Sequence, residues 1–110
     1  MISIKVEPKI IEAFHQMWDT FPGMARLIDK NHVVHAANES AMLNGYVSDI
    51  CCVTVGDMES HKGCLAWKTI LQNMAHVDRP SEQVIRGWMP VQDNTDLFVH
   101  FTLSIPVINE

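Results

Sequence analysis

No stretch of this chain approaches the roughly 20 consecutive apolar residues that a membrane-spanning helix needs. The opening MISIKVEPK lacks the basic, then apolar, then small-residue order of a secretory signal. Basic residues are scarce too. Eight Lys and Arg stand against 13 Asp and Glu, a formal net charge of −5, and the cations are scattered singly. A nucleic-acid binder is expected to show a basic stripe, so neither nucleic acid nor membrane is expected as a partner. Cys51, Cys52 and Cys64 form no even disulfide framework, which fits a reducing compartment. The expectation is a soluble cytoplasmic protein. There is no nucleophile elbow, P-loop, HExxH or glycine-rich dinucleotide loop. The chain is therefore not expected to be an enzyme.

What is present is an ordinary globular composition. At 110 residues, with 47% hydrophobic and 19% charged, the chain is long enough for one small core. Ile10, Ile11, Phe14, Met17 and Trp18 fall at helical spacing over residues 8 to 18, with Pro8 in the first turn. This stripe either packs on its own domain or meets a second copy of itself. Phe21-Pro22-Gly23 ends the helix. Met24 to Asp29 and Val33 to Ala37 then read as a hairpin around Asp29-Lys30-Asn31-His32. Asn38 reads as the N-cap of a short helix, Glu39 to Leu43, closed by Gly45.

Periodicity is poor from Val47 to Gly63. It becomes helical again from Cys64 to Ala75, with Trp67, Ile70, Leu71, Met74 and Ala75 on one face. Pro80 separates this helix from a strand near Glu82 to Met89. After an Asp93-Asn94 turn, Leu97, Val99, Phe101, Leu103, Ile105 and Val107 alternate with mostly polar residues, as in a half-buried antiparallel strand.

Ala25-Arg26-Leu27-Ile28-Asp29, Val33-Val34, Ala37-Asn38-Glu39-Ser40-Ala41, Gly45-Tyr46 and Ile105-Pro106-Val107 occur in an order that resembles the PAS family of sensory domains. The resemblance covers roughly residues 21 to 107. It implies an α+β fold, an antiparallel sheet with helices packed on one face, preceded by an amphipathic flanking helix over residues 1–20 and with the PAS-like domain over 21–110. A PAS sheet usually has five strands, the last lying between the first and the fourth. Only four strands are read here, and Glu110 stands where a fifth should begin. That implies a truncated chain, pairing from another chain, or direct closure of the first strand onto the fourth.

The resemblance, with the apolar alternation, points to a ligand or cofactor in a small apolar cavity lined by Leu27, Val33, Trp67, Leu71, Phe101 and Leu103. The identity of the cofactor is unknown from sequence. Occupancy would bias the packing of the helix 64–75 and signal through a homodimer or a partner domain. Two other readings stand beside it. Cys52, His61 and Cys64, with Cys51, are thiol and imidazole groups of the kind that bind metal or respond to oxidant, although no C-x-x-C spacing supports them. A ligand-free dimerisation module is the third.

Overall fold

The computed structural model describes residues 4–49 and 64–106. Helix α1 (Pro8–Trp18) is followed by strand β1 (Met24–Asp29), strand β2 (Val34–Ala37) and helix α2 (Glu39–Leu43). Helix α3 (Ala66–Gln72) leads into β3 (His76–Ser81), β4 (Val84–Val91) and β5 (Asn94–Ser104). The five strands form one sheet in the order β2-β1-β5-β4-β3, every neighbouring pair antiparallel.

The sheet corrects the strand count. The long alternating strand at the C-terminal end is itself the central one, paired with β1 on one side and β4 on the other. The strand overlooked by the sequence is β3, because Pro80 reads there as a separator. As an edge strand β3 tolerates a residue without a backbone N–H. The α+β class, with helices over an antiparallel sheet and an N-terminal helix over residues 8–18, stands as expected.

Both faces of the sheet are covered. On one, the outer face, α1 lays Ile10, Ile11, Phe14 and Trp18 against Ala25, Leu27, Ala36, Leu97 and Val99. The stripe thus packs on its own domain, leaving Met17 74% exposed. Trp18, Phe21 and Phe101 complete this layer as an aromatic cluster, with ring centroids 5.2 to 6.0 Å apart. On the inner face, Ile28, Val34, Trp88 and Phe98 pack against Ala41 of α2, Tyr46, and Ala66 of α3.

One side chain ties the two layers together. Asn38 caps α2 through its Oδ1, which accepts from the Ala41 N–H at 3.1 Å and also from the Ala25 N–H at 3.1 Å. Its Nδ2 donates to the carbonyls of Trp18, at the end of α1, and Gly23, before β1. Gly45, at φ 97°, then closes α2 in the left-handed region that glycine accepts without strain.

Candidate functional site

The inner face carries an unusual amount of polar chemistry for a buried layer. Cross-strand pairing sets its residues in rows. Arg26, His100, Trp88 and His76 form one row from β1 to β3, and Met24, Thr102, Arg86 and Asp78 form the next. Arg26 is buried. Its Nε donates to the His100 carbonyl at 3.2 Å and its Nη2 to Thr102 Oγ1 at 2.9 Å, while its guanidinium lies 4.5 Å from the Tyr46 ring centre. Arg86 grips Asp78 with two bonds of 2.9 and 2.6 Å and sits 5.2 Å from the Trp88 ring centre. The hydrogen bonds from Arg86 to Asp78 raise the guanidinium pKa further, against burial, which would lower it. It stays charged.

His100 stacks flat on Trp88, with centroids 4.7 Å apart and planes 6° from parallel. Its Nδ1 lies 2.8 Å from the Gly87 carbonyl, which can only accept, so Nδ1 carries a proton. Among the described residues, two buried side-chain polar atoms have no hydrogen-bond partner: Trp88 Nε1 and Thr69 Oγ1 of α3, both on fully buried residues.

Beside this layer a cavity of about 350 Å³ opens between α3 and the β1–β2 turn, lined by Lys30, His32, Ala66, Trp67, Ile70, Leu71 and Phe98. Its volume is at the lower end of ligand sites. Asp29 holds the turn that brings Lys30 and His32 to the rim. One carboxylate oxygen accepts from the backbone N–H groups of Asn31 and Val33, the other from His35 Nε2 at 2.8 Å. His35 occupies a bulge, since Leu27 pairs with Ala36 and Ile28 with Val34.

Burial pushes the Asp29 carboxyl up, but the hydrogen bonds from His35, Val33 and Asn31, with the His35 charge, outweigh it. The pKa lies below its ordinary value. A depressed folded-state value contributes stability that is complete above the unfolded value of about 3.9 and is lost as pH falls through the folded one. Acidification below about pH 4 is therefore expected to weaken the wild type more steeply than Asp29→Asn. Urea midpoints across that window check this, and equal slopes would remove Asp29 as the titrating group.

The residues proposed from sequence do not enclose a single space. Trp67 and Leu71 line the cavity, with 62% and 76% of their surfaces exposed. Leu27, Phe101 and Leu103 lie on the outer face, two of them against α1 or its aromatic cluster. Val33 is buried in the β1–β2 turn. The reason is the sense of β5. Leu97, Val99 and Phe101 on its apolar side pack with α1, and Phe98 on its mixed side packs with Ala66 of α3. Cys51, Cys52 and His61 lie outside the described residues. Cys64 is half-buried and packs against the inner core. Among the described residues no group of three His, Cys, Asp or Glu side chains could hold a metal, and no helix is long and apolar enough to cross a membrane.

No protein-family model matches the chain, and no curated protein or solved structure matches it significantly.

Proposed function

We propose that this chain is a PAS-like sensory or regulatory domain of the cytoplasm, which binds a small molecule between α3 and the inner face and signals through a partner or dimer interface. The observation that carries the reading is the polar inner layer. A core serving only stability has no use for two arginines, an indole N–H and a hydroxyl, each of which loses hydration on burial. Three further features support it: the β2-β1-β5-β4-β3 order with its last strand central, the helices that connect β2 to β3 on one face, and the adjoining cavity.

The mechanism is a shift in population. A ligand that prefers one seating of α3 against β4 and β5 biases the domain toward it by no more than the difference in its affinities for the two. Asn38 offers a route outward, because the cap of α2 and the end of α1 share its side chain.

Native mass spectrometry of freshly purified protein under reducing conditions tests the reading. The expected result is a protein mass with an added small molecule. A bare dimer would favour the dimerisation module instead, for which Trp67, Leu71 and Met74, exposed at helical spacing on and after α3, provide an apolar surface.

A further inference from the structure

The cavity between α3 and the β1–β2 turn carries charge of one sign. Among its described lining residues only Lys30 and His32 can be ionised, and either would be positive. The rest of the wall is aliphatic or aromatic. In a chain of net charge −5, this turn sets two of the scarce basic groups beside an apolar wall.

The turn fixes both positions before anything binds. The Lys30 N–H donates to the Asp96 carbonyl and the His32 N–H to the Asp29 carbonyl, each at 2.9 Å. The Asp29 carboxylate takes the N–H groups of Asn31 and Val33. His32 stands at φ 67°, in the left-handed region that glycine or asparagine adopts more easily. The turn alone therefore gives no reason for an imidazole. A cavity rim does, because an imidazole N–H can donate to a ligand in either protonation state.

Lys30 Nζ lies 3.2 Å from Asp96 Oδ1, in a pair whose side chains are each about half exposed. Such a pair is weak, so an incoming anion competes with Asp96 for the ammonium instead of meeting a locked salt bridge. A cavity of about 150 Å³ accepts benzene, so one of about 350 Å³ has room for a single ring and a short acidic chain. Resting on the ligand-binding reading above, we infer that the cavity takes a small organic anion. Its ring lies against Trp67, Leu71 and Phe98, and its carboxylate meets Lys30 and His32. Asp96 then restrains the affinity.

The test uses the full chain, refolded in ligand-free buffer, with 3-phenylpropionate, 3-phenylpropionamide and 3-phenylpropylamine as probes. The readout is the indole N–H resonance of Trp67, assigned by its absence in Trp67→Phe. The expected result is a saturable shift with the acid, binding of the amide about tenfold weaker, and no binding of the amine. Lys30→Met and His32→Asn each weaken the acid about threefold and narrow its advantage over the amide, while Asp96→Asn tightens it by a similar factor. Lys30 and Asp96 are half exposed, so their variants keep the comparison decisive even where His32→Asn disturbs the turn.

Equal binding of acid and amide, or an Asp96→Asn variant with no greater affinity for the acid, overturns the inference and leaves the ligand-binding reading intact. Tighter binding of the amine does the same. A His32→Asn variant that unfolds more easily yet binds the acid as wild type does assigns His32 to the turn and overturns its role at the rim. No shift with any probe overturns the inference, and a bare native mass beside it overturns the ligand-binding reading too.

Discussion

Asn38→Ala is expected to lower the stability of this domain by about 3–5 kcal/mol, against a total of about 5–15 kcal/mol for a domain of this kind. The side chain is 1% exposed and makes four hydrogen bonds. Losing the cap of α2 costs about 1 kcal/mol. The remainder comes from leaving the Ala25 N–H and the Gly23 carbonyl without the partner they had, at about 1–3 kcal/mol for each buried group that stays unsatisfied, while the Trp18 carbonyl keeps the Phe21 N–H. Asn38→Ser separates the contributions. A serine hydroxyl can still cap α2 but cannot span to α1, so it should recover about 1 kcal/mol and no more. Urea denaturation of the two variants decides. A serine variant as stable as wild type would show that the bonds to Trp18 and Gly23 contribute nothing.

Gly87→Ala is expected to be the other costly change. A Cβ at this position of β4 would stand 2.0 Å from Cε2 of Phe101, far inside contact distance. Phe101 has little room to yield, since Trp18 stacks on it at 6.0 Å and Phe21 meets its edge at 5.6 Å. The ring must move and press on the end of α1, at a cost of about 1–3 kcal/mol as for other overpacked cores. A smaller residue at 101 relieves the clash. The double variant Gly87→Ala, Phe101→Leu should therefore lose less than the sum of its two single variants, by about 1 kcal/mol or more. Strict additivity would place the cost somewhere other than the Gly87–Phe101 contact.

Local chemistry made the first half of the chain legible. Pro8 at the start of a periodic stripe, Asn38 before Glu39, and Gly45 after Leu43 each act within a turn of their own position. The observed α1, β1 and α2 begin and end where those residues place them. The helix read over residues 64–75 is shorter, Ala66–Gln72, because Asn73 takes a left-handed conformation and closes it early.

Tertiary context hid the rest. Whether Pro80 breaks a strand or sits within one depends on whether that strand has a neighbour on its far side, which no local pattern encodes. The alternation of β5 identifies two faces, but not which of them meets α1 and which meets α3. Arg26 and Arg86 lie in short strands where charge normally signals solvent. Their burial rests on partners distant in sequence, Thr102 for the first, and on the neighbouring strand, Asp78 for the second. Trp67 and Leu71 were legible as cavity lining, but the polar layer beside them is built from residues that look superficial until the sheet assembles.

The outermost strands of this sheet also govern how copies of the chain behave when concentrated. An open strand offers unpaired amides to any similar strand that drifts past, and this is how ordered aggregates extend. Here β2 has only four residues and is bent by the bulge at His35. At the other border β3 carries Asp78, Arg79 and Pro80 in succession. Neither border gives an incoming strand a long, flat, uncharged template. The same proline that concealed β3 in the sequence thus helps make the last row of the sheet a terminus rather than a seed.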